Sequence, residues 1–158
     1  MQIIADTREQ EPYRFKRYPA VEVIPGTLTA GDYSLPGFED EVAIERKELS
    51  DLMGCLTHDR DRFMRELDRL RSYRSAAVVV EAPFSVIKAG MYRSHVKPDA
   101  AVQSIYSIMQ RYRMPFYFAT DRTDAEAFAY HFLRHFTRHA LERFKAIEKQ
   151  GKAFNATP

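Results

Sequence analysis

Gly31-Asp32-Tyr33, an eleven-residue spacer, Glu45-Arg46-Lys47 and then Asp51 form the stretch on which the reading of this chain turns. Residues 27–35 alternate at their start, with Leu28 and Ala30 opposite Thr27 and Thr29, and predict a strand that carries Asp32. Pro36-Gly37 opens a turn. Val42-Ala43-Ile44 predicts a further strand that continues into Glu45-Arg46-Lys47. A spacing of two puts the Glu45 and Lys47 side chains on one sheet face. Antiparallel pairing across the turn at 36–41 would set Asp32 beside Glu45.

Two carboxylates and an ammonium in that arrangement suit a hard cation against a phosphodiester. Magnesium takes one or two carboxylates together with water and substrate phosphate oxygens. The ion would polarise the phosphate and make a bound water more acidic, while Lys47 would offset charge in the transition state. An acid, a spacer and acid-x-Lys also fit a solvated strand face with a Glu–Lys pair. Asp6 and Glu9 weigh against that blander reading by forming a second acidic cluster at another strand end, and Asp51 adds an acid one turn into the next helix.

Outward from this centre, residues 2–6 predict a short strand ending in Asp6, followed by a polar loop or helical turn at 6–12. Residues 21–24 predict a second strand, broken by Pro25-Gly26. Ser50 is a candidate N-cap, with Glu48 and Leu49 at the boundary, for a helix whose apolar face is Leu49, Leu52, Met53 and Leu56. Phe63, Leu67 and Leu70 mark another helix starting near Asp59 or Asp61. The apolar run 76–80 has strand length and suits the middle of a sheet covered on both faces. A helix at 99–113, a strand at 116–119, a helix at 123–136 with Phe128, Phe132 and Phe136 in register, and a further helix through Lys149 complete the chain. Residues 1–150 are expected to form one α/β domain, a mixed β-sheet flanked by α-helices, and 151–158 a flexible tail.

Hydrophobic residues at 45% and charged residues at 29% are ordinary globular composition. No apolar run approaches the ~18 residues of a membrane span. A lone cysteine, Cys55, excludes an internal disulfide and fits a reducing, intracellular setting. The net charge of +2 does not announce nucleic acid, but its distribution is uneven: residues 60–74 carry six arginines, and 131–158 hold six Lys and Arg against two Glu.

Asp6-x-Arg8-Glu9, Gly31-Asp32-Tyr33 and Glu45-Arg46-Lys47-x-x-x-Asp51 together resemble the XPF-type nuclease domain, whose signature is GD, a spacer and ERKxxxD. Leu52-Met53-Gly54-Cys55-Leu56 and Arg62-Phe63 resemble the segment just C-terminal to that signature, so the match is closest over residues 3–70. The resemblance implies a restriction-endonuclease-like core and a structure-specific DNA endonuclease using Mg2+ or Mn2+. It assigns Asp32 and Glu45 as metal ligands with Asp6 joining or supporting them, and Lys47 to the water and phosphate. Glu9, Arg46 and Asp51 would complete the catalytic site, while Arg8, Arg62 and Arg65 are candidates for DNA contact. It further implies branched or flap DNA as partner and a homodimer, for which the aromatic helix at 128–136 is a candidate surface. Larger members add a tandem helix-hairpin-helix module, and 123–158 contain no Gly-rich hairpin pair.

The competing reading is a catalytically inactive module of the same fold that docks DNA or a partner; retention of Asp32, Glu45 and Lys47 speaks for the enzyme. Other signals carry less. His131, His135 and His139 share a helical face but have no acid among them, which fits an exposed or DNA-facing surface better than a metal site. Ser85-x-x-Lys88 has no supporting acyl-transfer residues nearby, and Tyr106, Tyr112, Tyr117 and Tyr130 fit core edges better than base-stacking platforms.

Overall fold

The computed structural model describes residues 1–155. Its six strands, β1 (Gln2–Asp6), β2 (Glu22–Gly26), β3 (Tyr33–Ser34), β4 (Val42–Lys47), β5 (Ser75–Val80) and β6 (Phe116–Phe118), form one sheet in the order β2-β1-β3-β4-β5-β6. The sheet is mixed: β3 runs antiparallel to both neighbours, and the other pairs are parallel. Five helices flank it: α1 (Leu49–Cys55), α2 (Arg60–Leu70), α3 (Phe84–Lys88), α4 (Pro98–Tyr112) and α5 (Arg122–Asn155). The expected α/β class, a mixed sheet between helices, is the observed one. Among the described residues no helix is long and apolar enough to cross a membrane.

Strand alternation sorts the core into two halves. On one face Ala43, Val78 and Val80 pack with Leu52 and Met53 of α1, Phe63 and Leu67 of α2 and Ile105 of α4. On the other face Val42, Ile44, Ala77 and Val79 pack with Ala125, Ala129 and Leu133 of α5. The run 76–80 is therefore a central strand covered on both sides, as its unbroken apolar sequence requires.

Three expectations are corrected. The strand expected over 27–35 shrinks to Tyr33–Ser34. Gly31 sits at φ +80°, outside the extended region, and a Cβ there would come within 2.8 Å of the Ala43 Cβ. Glycine thus lets the chain bend tightly over β4 immediately before Asp32, which precedes β3 instead of lying within a strand. The two helices expected after residue 123 are one, α5. Ala125, Ala129, Leu133, Phe136 and Ala140 keep a buried stripe across the supposed junction, and no Gly or Pro interrupts it. Residues 151–155 continue that helix, so the tail expected from Gly151 is helical as far as Asn155; residues 156–158 of it lie outside the described residues.

Two features have no counterpart in the sequence pattern. The short helix α3 follows β5. Tyr13 and Phe15 emerge from the polar loop into the core, where the Tyr13 ring stacks on Tyr33 at 4.9 Å.

Candidate active site

The strand pairings draw three acids into a row. Ala5 pairs with Tyr33 and Tyr33 with Ile44, both antiparallel, so one step further along places Asp6 opposite Asp32 and Asp32 opposite Glu45. Backbone bonds continue the pairing: Asp6 N–H donates to the Asp32 carbonyl and Asp32 N–H to the Ile44 carbonyl, both at 2.8 Å. The turn at 36–41 therefore brings Asp32 to Glu45 as the sequence suggested.

Asp6 is already saturated. One carboxylate oxygen accepts from Arg8 N–H (2.8 Å) and Nε (2.7 Å), the other from Arg8 guanidinium (2.9 Å) and Leu28 N–H (2.7 Å). Burial works against its ionisation, but the Arg8 and Leu28 hydrogen bonds outweigh it and hold the carboxyl below its ordinary value. Such an acid fixes the loop beside the row; it is not a free ligand.

Asp32 and Glu45 are in the opposite condition. Burial, and then the Glu45 charge, push Asp32 up to about 8, against the pull of Lys47 and the Arg46 N–H. Glu45 is also pushed up, again first by burial. Asp32 has one backbone donor, Arg46 N–H at 2.7 Å, and Glu45 has the Lys47 ammonium. Burial disfavours the Lys47 charge, yet Glu45 and Asp32 together keep the ammonium protonated above its usual range. A buried Glu45 and a half-buried Asp32 thus stand beside a single ammonium, which is ion-paired to Glu45.

That donor set fits a divalent cation of the magnesium type, which accepts two carboxylates and fills its remaining positions with water and phosphate oxygen. It does not fit a closed cage of protein ligands: among the described residues no group of three or more His, Cys, Asp or Glu side chains could hold an ion together.

Arg46 points through the other sheet face. Its guanidinium is 6% exposed and meets Glu81 at 2.7 Å, Glu48 at 2.8 Å and Glu9 at 3.4 Å. Burial opposes the charge, but the Glu81 pair and the other carboxylates raise its proton affinity further. Arg122 reaches Glu81 at 3.1 Å. Because Arg46 lies between Glu45 and Lys47 and donates its N–H to Asp32, this network sets the backbone that aims the Glu45–Lys47 face. Glu9, expected in the site, joins this network and also lines the cleft.

Around these residues opens a cleft of about 780 Å3 whose walls are the end of β1 with the loop after it, the Gly31–Asp32 turn, the end of β4, α1 and α2. Asp51 and Arg62 line it as expected, and Arg8 is on its rim. Arg65 is exposed on α2 but does not line the cleft, whereas Arg69 does. Sequence reasoning missed Glu66 and Glu81. Glu66 on α2 accepts the Gly31 N–H at 2.9 Å and so ties the glycine turn to the helix. Both act across 35 residues of chain, and neither lies in a motif.

No curated protein matches the chain significantly. The ERCC4 domain family model matches residues 5–132. Among solved structures the chain is similar to XPF from Aeropyrum pernix (TM-score 0.67, 21% identity, 96% of this chain and 73% of that one). It is also similar to XPF from Aeropyrum pernix in complex with DNA (TM-score 0.64, 23% identity, 87% of this chain and 65% of that one). The matched span includes the acid row, Lys47 and the cleft, and the chain belongs to the ERCC4 domain family, with the fold of the XPF-type nuclease domain.

Proposed function

We propose that the protein is a metal-dependent DNA endonuclease that hydrolyses phosphodiester bonds in branched or irregular DNA, of the repair and recombination type. One observation carries the reading: Asp32 and Glu45 stand side by side at the open end of adjacent strands, with one ammonium, Lys47, ion-paired to Glu45. Excess buried negative charge is costly unless a cation or proton relieves it. Asp32 and Glu45 would hold Mg2+ or Mn2+, with Asp6 supporting the row. A bound ion of this kind neutralises phosphate charge and makes water more acidic.

The chain's own groups do the rest. The protonated Lys47 offers positive charge where negative charge grows on the phosphorus oxygens. Phe63 lies 5.6 Å from its ammonium and limits where it can swing. Asp51 adds an exposed acid at the start of α1, and Arg8, Arg62 and Arg69 offer the rim to DNA phosphates. The complex in the second similar structure supports DNA as the partner. A homodimer is supported by α5, where Leu141, Phe144 and Ile147 are 56%, 68% and 62% exposed along one side of the helix. Work on DNA goes with the intracellular setting.

The test is a cleavage panel of splayed-arm, flap, four-way and linear DNA with Mg2+, Mn2+ or chelator. Cutting that needs metal and vanishes in Glu45→Ala and Lys47→Ala is expected. DNA binding without cutting under every metal condition would instead assign the chain as an inactive DNA-docking module.

A further inference from the structure

The arginines of α2 lead away from the cleft. Arg62 and Arg69 line it, and Arg71 and Arg74, just past the helix end, line a different groove. This groove is built by the α2–β5 connection with the start of β5, the end of α4 with the joint that follows it, and the middle of α5. Arg111 and Arg113 flank the α4–β6 joint. His131, His135 and His139 project from successive turns of α5 into its continuation, which shares Arg74, Ser75 and Phe132 with the first part. No Asp or Glu is among the lining residues of either part.

Acids outside the lining approach it: Glu41 lies 3.6 Å from Arg74, Asp68 lies 3.5 Å from Arg71, and the charges of Asp40 and Glu66 are felt at Tyr73. The arginines are also held in place. Arg74 lies over the Phe136 ring at 5.1 Å and Arg111 over Tyr112 at 5.5 Å. Arg113 sits at φ 51°, an unusual backbone for a residue with a long side chain, and caps α4 with that side chain exposed. The aromatic residues that floor the groove are half-buried or buried, so they back the cations and do not offer rings to bases.

We propose that this acid-free groove is a second site for DNA, gripping backbone phosphates of the duplex whose scissile bond lies in the cleft. The inference rests on the nuclease reading for the DNA in the cleft. β4 and β5 are paired in parallel, with Val42 beside Ser75 and Lys47 beside Val80, so cleft and groove lie at opposite ends of the same strands. The five residue steps between them span about 17 Å, which matches about 5 base pairs of duplex. The cleft lining itself holds nine acids against five Lys and Arg, so it attracts a metal and repels a polyanion. Affinity for DNA then has to come from beyond the cleft, and the α2 arginines connect it to the groove. Phosphate contacts of this kind position a duplex without reading sequence.

The experiment measures anisotropy of a fluorescein-labelled duplex in chelator, where no cleavage occurs, across a salt series. Two paired variants are used: Arg111→Gln with Arg113→Asn, which keeps a residue tolerant of the left-handed backbone, and Arg71→Gln with Arg74→Gln. Each pair removes two phosphate contacts, so the slope of log affinity against log salt should fall by about 1.8 and binding at about 150 mM salt should weaken roughly tenfold. With metal present, KM should rise while kcat at saturating DNA stays at the wild-type value. Trimming the duplex to about 5 base pairs or fewer beyond the scissile phosphate should erase the difference between variants and wild type. Unchanged salt slope and affinity in both folded variants would overturn the proposal, as would an equal loss on trimmed and long duplexes. A shift in sedimentation mass with DNA binding intact would give the groove to a protein contact and overturn it too. Because binding is read without metal, loss of cleavage in wild type would count against the nuclease reading alone.

Discussion

The cleft and the groove lie at opposite ends of β4 and β5 and are electrostatic opposites. The cleft concentrates acids: Asp32 and Glu45 stand beside one ammonium, and Asp6 and Glu9 are neutralised by arginines next to them. The groove has four arginines and three histidines and no acid in its lining. A surface that binds a divalent cation and a surface that binds phosphate need opposite charge, so one patch does both poorly. Separating the two along the sheet lets each keep its sign. If the separation is real, changing one end should leave the other end's property intact.

The largest effect belongs to the cleft. Glu45→Gln keeps the size of the side chain and removes its charge, and cleavage should fall by at least about 10³-fold, the scale of losing one dedicated electrostatic group. DNA affinity in chelator should stay level or rise slightly, because a repelling acid has gone. A parallel fall in DNA affinity would mean that the cleft itself carries binding and that the division of labour is wrong.

Arg46 comes next. Arg46→Met would leave Glu9, Glu48 and Glu81 facing one another without their common cation. Breaking a buried pair from one side costs about 3–5 kcal/mol, which corresponds to a melting temperature lower by about 10 °C in a chain of this length. The pH dependence comes from Glu81. Burial pushes that carboxyl up, but the Arg46 hydrogen bonds and charge outweigh it and leave its proton affinity lowered. The pair therefore stabilises the fold fully above the unfolded-state value of about 4.3, and the contribution is lost as pH falls through the lower native value. Glu81→Gln should be less stable at pH 7 and lose less on acidification than wild type; equal acid limbs in denaturant titrations would remove Glu81 from the network that supports the cleft.

These two ends were unequally legible in the sequence. The cleft was readable because its chemistry is local: a spacing of two fixes the shared face of Glu45 and Lys47, and one turn fixes Asp32 against Glu45. Asp6 was placed correctly at its strand end, although its saturation by Arg8 and Leu28 depends on a loop conformation that no pattern shows. Glu66 and Glu81 were invisible because each acts across 35 residues, from a helix and a strand end whose sequences obey ordinary amphipathic or apolar rules. The groove was scattered further still, over the α2–β5 connection, the end of α4 with the joint after it, and α5. In the sequence it was a surplus of arginines at 60–74 and a histidine row at 131–139, with nothing to bring them together. α5 was divided in two because its core-facing half is aromatic and its distal half charged, and composition changed where the backbone did not.

A smaller effect should appear in stability without metal. Burial and the Glu45 charge raise Asp32 to about 8, so its contribution to stability is lost progressively as pH rises from its unfolded value of about 3.9, and above 8 the unrelieved charge opposes folding in full. Asp32→Asn keeps an oxygen for the Arg46 N–H and removes that charge. In chelator its melting temperature should rise by about 2–4 °C, corresponding to about 1 kcal/mol. Added Mg2+ should stabilise wild type and leave the variant where it was. A variant less stable than wild type in chelator would show that Asp32 is not carrying unrelieved charge.

The smallest effect separates two arginines on one helix. Arg62 lines the cleft and is loosely paired with Asp59 at 3.4 Å; Arg65, less than one turn on, is exposed and lines neither cleft nor groove. Arg62→Ala should remove one phosphate contact and lower the salt slope by about 0.9, while Arg65→Ala should leave slope and affinity unchanged. The pair tests the path, since both substitutions remove the same charge from the same element and differ in that only Arg62 lines the cleft. DNA that runs from the cleft past Arg69 to Arg71 and Arg74 passes Arg62 and misses Arg65. A slope that falls with Arg65→Ala and not with Arg62→Ala would carry the duplex past α2 outside the cleft lining and overturn this path.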